Sequence, residues 1–132
     1  KINLSLNINR KLIRLGLHDI RSYFCLINLY DEIKVNKIKR KRDIIKFKGK
    51  FAKDINIKHN SILETLKILR QNGIISHTYS ILINKKIPVF SGLGGGTGNA
   101  FFLANYLTKN KISASLIKIF DKRVGTDFKL FL

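Results

Sequence analysis

From Lys1 to Asn9 apolar and polar residues alternate without a break: Ile2, Leu4, Leu6 and Ile8 fall on one side, Lys1, Asn3, Ser5, Asn7 and Asn9 on the other. A period of two over this length predicts a strand with one buried face. Arg10 to Leu17 reads as a loop closed by Gly16, Ile20 to Tyr30 as β-rich, and Asp31-Glu32 as a turn into Ile33 to Val35. The basic run Lys39-Arg40-Lys41-Arg42, followed by alternating Ile45, Phe47 and Gly49, reads as strands around a solvated charged turn. The period then lengthens. Ser61 and Glu64 have the spacing of a capping box, Ile62, Leu66 and Leu69 share a helical face, and Gly73 supplies the stop. Thr78 to Ile83 is a strand pattern, Pro88 to Gly98 a loop, and Asn99 to Leu107 a helix with Ala100, Leu103, Ala104 and Leu107 at helical spacing. Phe101, Phe102 and Tyr106 make that helix apolar nearly all round, so it is expected to be central and buried. Ser113 opens a shorter helix with Leu116, Ile117 and Phe120 inward, and Asp127 stands before a last apolar strand. The order of elements predicts an α+β domain.

Most of the chemistry is concentrated between Pro88 and Ala100, where the sequence reads P-V-F-S-G-L-G-G-G-T-G-N-A and holds five of the chain's nine glycines. Such a cluster costs chain entropy unless backbone must turn through positive φ or approach a ligand closely. A helix follows directly, and a helix start offers unpaired N–H groups and a positive dipole end. A phosphate-binding loop is the first reading. No Lys-Ser or Lys-Thr follows the last glycine, as a P-loop requires. The dinucleotide fingerprint fails because Thr97 or Asn99 stands where its third small residue belongs, and the kinase glycine-rich loop fails by the same register. Two loop patterns remain open on these residues: that of the GHMP kinases, P-x-x-x-G-L-G-G-G-S-S-N/D-A, and that of the tubulin and cell-division GTPases, G-G-G-T-G-x-G.

Charge changes the picture less. The 132 residues hold 26 Lys and Arg against 8 Asp and Glu, a net charge of +18. That excess would ordinarily suggest nucleic acid, but it is spread along the chain and peaks at Lys34 to Lys53 without an RNP, Cys/His or helix-turn-helix signature. Nucleic acid is therefore not the expected partner, and a positive field equally suits a polyphosphate. Cys25 is the single cysteine and lies in an apolar stretch, so a buried strand thiol is expected and no internal disulfide can form. With no secretory h-region and no long uncharged apolar stretch, neither export nor membrane spanning is expected, and a reducing cytoplasm fits. Nothing in the pattern specifies an oligomeric state.

Beyond the loop, Lys1-Ile2-Asn3-Leu4-Ser5-Leu6 resembles the opening A-K-I/L-N-L-x-L of one branch of the GHMP kinases, Leu15-Gly16-Leu17-His18-Asp19-Ile20 its D-G-Y-H-E/D-L segment, and Gly125-Thr126-Asp127-Phe128 the start of its G-A/S-D-V-P-F segment. The matches come in the family's order and extend over nearly the whole chain, whereas the GTPase pattern explains only the central loop and lacks its last glycine at Ala100. The resemblance implies an ATP-dependent small-molecule kinase, with Mg2+, acting on the 2-hydroxyl of a diphosphocytidyl methylerythritol in non-mevalonate isoprenoid synthesis. Another GHMP kinase, with homoserine, mevalonate or a sugar as acceptor, is the nearest alternative. By the same resemblance Pro88, Gly92, Leu93, Gly94, Gly95, Gly96, Thr97, Gly98 and Asn99 bind the nucleotide. Asp127 takes the proton from the acceptor hydroxyl, Lys1 stands near the transferred phosphoryl, and Asn3 and His18 border the cytidylyl substrate. No protein metal ligand is assigned. Departures are Gly98 for the family's second serine, Leu17 for a tyrosine, Leu15 for an aspartate and Lys129 for a proline. The family implies a ribosomal-protein-S5-domain-2-like fold. Because Lys1 begins inside a strand pattern and Leu132 ends inside an apolar run, residues 1–132 are expected to be an N-terminal ATP-binding domain truncated at both ends, its C-terminal domain missing.

Overall fold

The computed structural model describes residues 1–12 and 17–132, with the side chains of Arg10, Leu12 and Leu17 excepted. Its elements run β1 (Ile2–Leu12), β2 (Leu17–Cys25), β3 (Glu32–Ile38), β4 (Ile44–Lys48), α1 (Ser61–Gln71), β5 (Thr78–Asn84), α2 (Gly95–Leu107) and α3 (Ala114–Arg123), closing with a 3-10 segment over Thr126–Phe131. This is a mixed α and β architecture. β1 and β2 form an antiparallel pair of their own, while the second sheet has the order β3-β5-β4.

The second sheet is organised by β5. It runs antiparallel to β3 (Val35 opposite Ile81) and parallel to β4 (Ile45 opposite Ile81). A parallel pair cannot be joined by a tight turn, so β4 crosses to β5 through α1. Strands on both sides of the basic run Lys39 to Arg42 were expected; they do not pair with each other, because β5 takes the place between them. Asp43, next after that run, accepts a two-pronged hydrogen bond from the Arg70 guanidinium at 2.7 and 2.8 Å and tethers the start of β4 to the end of α1.

The core lies where α1, α2 and α3 cover this sheet. Ile62, Leu66 and Leu69 of α1, Ile81 and Ile83 of β5, Leu103 and Ala104 of α2, and Phe120 of α3 are all buried. Each large apolar side chain so placed contributes roughly 1.5–3 kcal/mol relative to exposure. Phe128 completes the core: fully buried, it stacks on Phe120 with ring centroids 4.3 Å apart and planes 4° from parallel, and meets Phe101 edge-on. That packing pins the segment that carries Asp127.

Several expectations need correction. β1 forms, but its apolar side is not covered: Leu4 is 70 % and Ile8 61 % exposed. Alternation reports which face is apolar; whether a second layer covers it is a tertiary matter. Strand pairing also reaches further into Arg10 to Leu17 than the expected loop, with Leu12 opposite Leu17, while Leu15 and Gly16 lie outside the described residues. β2 stops at Cys25, five residues short of Tyr30, and the thiol is only half-buried. The cap of α1 is Asn60, whose Oδ1 accepts from the Leu63 N–H at 3.0 Å; Ser61 is the first helical residue, and Glu64 bonds Arg123 instead of closing a capping box. Ser113 does cap α3, accepting from the Leu116 N–H. Gly73 ends α1 at φ 68°. α2 begins at Gly95, four residues ahead of Asn99, and is not covered all round, since Phe102 and Tyr106 are exposed. The segment after Asp127 is a 3-10 turn, because Phe128 and Phe131 both pack inward against α2, a spacing of three that no strand provides. No helix of the described residues is long and apolar enough to cross a membrane.

Candidate functional site

The glycine cluster is partly loop and partly helix. Gly92 and Gly94 take φ of 73°, the left-handed region open to glycine at little cost. Gly94 is the N-cap of α2, and Gly95, Gly96, Thr97 and Gly98 form its first turn. The Gly98 N–H makes the first intrahelical bond, to the Gly94 carbonyl at 2.8 Å. The N–H groups of Gly95, Gly96 and Thr97 precede it, and a helix offers no internal partner to its first donors. No acidic side chain sits in that turn and Gly94 supplies no capping side chain, so the first turn's own residues do not offset the positive end of the helix.

Each glycine has its own reason. A Cβ on Gly95 would lie 2.9 Å from Ile87 Cγ2, and one on Gly98 3.2 Å from the Phe131 ring. Those two are required by packing. Gly96 is different: it is exposed, it has ordinary helical φ, and its Cβ would meet nothing closer than Ser61 Oγ at 3.7 Å. Neither backbone nor packing demands glycine there.

Around this turn the chain's two ends meet. Lys1 Nζ lies 3.1 Å from Asp127 Oδ2, and a Cβ on Gly94 would stand 3.5 Å from the same oxygen and 3.6 Å from Lys1 Cγ. The Lys1 main-chain nitrogen donates to the Leu93 carbonyl at 3.1 Å, and Asn3 Oδ1 accepts from Lys1 Nζ at 3.2 Å. The Gly125 backbone closes on Thr97, whose Oγ1 lies 3.3 Å from where a Gly125 Cβ would be. A carboxylate, an ammonium, a hydroxyl and a helix N-terminus thus converge. His18 is not part of this group. Its strand position opposite Lys11 is seven residues along β2 from Cys25, which pairs with Ile2, about 20 Å at the rise of a strand.

Two clefts flank the turn. One, of about 450 Å³, is bordered by Phe47, Ile55, Asn60, Val89 and Thr97; the other, of about 180 Å³, by Lys1, Leu26, Tyr30, Phe102 and Phe131. Gly94 and Gly95 line both.

Beneath the turn lies a group that the sequence did not reveal. Asp31, expected in a turn, has its carboxylate wholly out of solvent and paired with the nearly buried Lys85 ammonium. Its Oδ2 also accepts from Asn99 Nδ2 at 2.8 Å, and its Oδ1 from the Lys86 and Ile87 N–H groups at 2.7 and 2.9 Å. Burial pushes the Asp31 carboxyl upward, but the hydrogen bonds from Lys85, the Ile87 N–H, Asn99 and the Lys86 N–H together hold it below its ordinary value. Lys85 is one of 26 basic residues and no spacing marks it out. The one available signal was that Asp31 interrupts an apolar stretch, Leu26 to Tyr30, just before a strand. The Asn99 amide, expected at the ligand, is committed to Asp31.

These features place a carboxylate–ammonium pair beside the glycine-rich start of a helix. No protein-family model matches the chain. Relatives called 4-diphosphocytidyl-2-C-methyl-D-erythritol kinase do: that of Pelagibacter ubique is 37 % identical over 131 residues, 96 % of this chain and 46 % of the relative. That of Ureaplasma parvum is 31 % identical over all of this chain and 50 % of its own, and that of Thermosipho melanesiensis 35 % over all of this chain and 46 % of its own. The chain spans about half the length of these curated relatives. A crystal structure of 4-(cytidine 5'-diphospho)-2C-methyl-D-erythritol kinase shares the fold, with a TM-score of 0.70 and 21 % identity over 98 % of this chain and 45 % of that one. The resemblance to this kinase in the sequence is thus borne out along the whole chain.

Proposed function

We propose that the chain is the nucleotide-binding part of an ATP-dependent kinase that phosphorylates the 2-hydroxyl of 4-diphosphocytidyl-2-C-methyl-D-erythritol, on a ribosomal-protein-S5-domain-2-like fold. The single observation that carries the reading is the convergence of Asp127 and Lys1 on the N-terminus of α2. Phosphoryl transfer depends on positioning and charge neutralisation far more than on covalent chemistry. The amides of Gly95, Gly96 and Thr97 would hold the transferring phosphates, with the nucleoside in the larger cleft and the acceptor entering from the Lys1 side. Because Gly94 and Gly95 line both clefts, a phosphoryl group held there faces donor and acceptor at once.

Asp127 takes the proton of the acceptor hydroxyl as it attacks, and the Lys1 ammonium at 3.1 Å opposes charge on the migrating group. Asn3 holds Lys1 in place from the same strand. Magnesium bound to ATP needs few protein ligands, since phosphates and water supply most of its oxygens. Thr97 Oγ1, in the first turn of α2 beside Gly125, is a hydroxyl in position to reach it. The ion would neutralise phosphate charge when bound. The reading leaves His18 with a role at the cytidine end of the substrate only if that substrate reaches along the hairpin.

The test is turnover by the purified full-length protein. ATP consumption should require the cytidylyl substrate and should not occur with homoserine or mevalonate. Asp127→Asn should lower kcat by about 10²–10⁴-fold, the usual contribution of a positioned base, while leaving the affinity for ATP nearly unchanged. Normal turnover by that variant would remove Asp127 from the chemistry.

A further inference from the structure

We infer that Asp31 is a positioning residue for the nucleotide, acting through Asn99 and the Lys86 and Ile87 amides as a clamp on both ends of the glycine turn; this rests on the ATP reading above. One carboxylate reaches four separate groups. Oδ1 accepts from the backbone of Lys86 and Ile87, where the chain leaves β5 for the turn. Oδ2 accepts from Asn99 in α2 and from Lys85 at the end of β5. Everything between, residues 88–98, is therefore tied at start and finish to the same buried group. The two glycines at φ 73° make this stretch costly to hold in one shape without such ties. An anion site made of backbone amides works only when those amides point correctly before the ligand arrives.

The carboxylate needs its charge for this. An Asn at position 31 would keep one oxygen for the two backbone donors but would turn an NH₂ toward Lys85 and Asn99, donor against donor. It would also leave the Lys85 ammonium buried without a partner, which is strongly destabilising and could prevent folding. Asn99→Ala is the cleaner probe, since it cuts only the tie to α2 and leaves the ion pair whole.

The experiment compares this variant with the wild-type full-length protein by steady-state kinetics and by amide hydrogen exchange without nucleotide. Asn99→Ala should raise KM for ATP about tenfold, the size of one hydrogen bond to a charged group, with KM for the acceptor unchanged and kcat altered less than about threefold. Exchange should quicken in the first two turns of α2 and not in α1. Unchanged KM for ATP in Asn99→Ala, or faster exchange spread evenly over the protein, overturns the clamp. If the wild-type protein fails to use ATP, the kinase reading falls, and the exchange pattern alone still decides whether the clamp exists.

Discussion

Gly96→Ala separates binding from folding, because the structure gives the two effects opposite signs. The position is exposed and helical, and the new Cβ would find its nearest neighbour at 3.7 Å, an ordinary contact. Replacing glycine by alanine in a helix is favourable by roughly 0.5–1 kcal/mol, so the variant should be as stable as wild type or slightly more so. For a domain of this size that is an increase of about 1–5 °C in melting temperature. Binding should move the other way. A methyl group at the helix start pushes a bound phosphate outward and lengthens its hydrogen bonds from the Gly95 to Thr97 amides. Losing one hydrogen bond to a charged group costs about 1.5–3 kcal/mol, a factor of roughly 10–100 in affinity for ATP. Thermal melting and titration with an ATP analogue on the same preparation give both numbers. An unchanged affinity together with normal or raised stability would mean that no phosphate approaches Gly96, and the glycine turn would lose its proposed purpose.

Gly95→Ala should behave differently, because its Cβ would press on Ile87 at 2.9 Å and Ile87 cannot retreat while Asp31 holds its N–H; a loss of about 1–3 kcal/mol in urea unfolding is expected, and full stability would refute the contact. Phe128→Ala should cost about 3–5 kcal/mol, since it empties the stack on Phe120, and should lower turnover through Asp127 even where the variant remains folded. Acid should act through Asp31. Its folded pKa lies below the ordinary 3.8, so its stabilising contribution is fully present above that value and is lost as pH falls through the folded pKa. Unfolding followed from pH 6 to pH 2 should show that loss in wild type and less of it in Asn99→Ala, which removes one of the hydrogen bonds that lower the Asp31 pKa; parallel curves would exclude that bond as a contributor.

What could be read without coordinates was local. The alternation of Ile2 to Ile8 announced a strand, Ile62, Leu66 and Leu69 a helix face, and five glycines in seven residues an anion turn, because periodicity and φ freedom are properties of short stretches of chain. Lys1 and Asp127 were legible only through resemblance, since no local signal distinguishes an aspartate in a Gly-Thr-Asp turn from a cap. Contact between residues 126 positions apart belongs to tertiary structure alone. So does Asp31: a carboxylate beside a strand looks the same in sequence whether it meets water or Lys85, and only the packing of β5 against α2 removes the water. The open side of β1 teaches the same lesson in reverse. Its pattern specifies an apolar face, but burial needs a second surface opposite, and no stretch of nine residues carries information about its own cover.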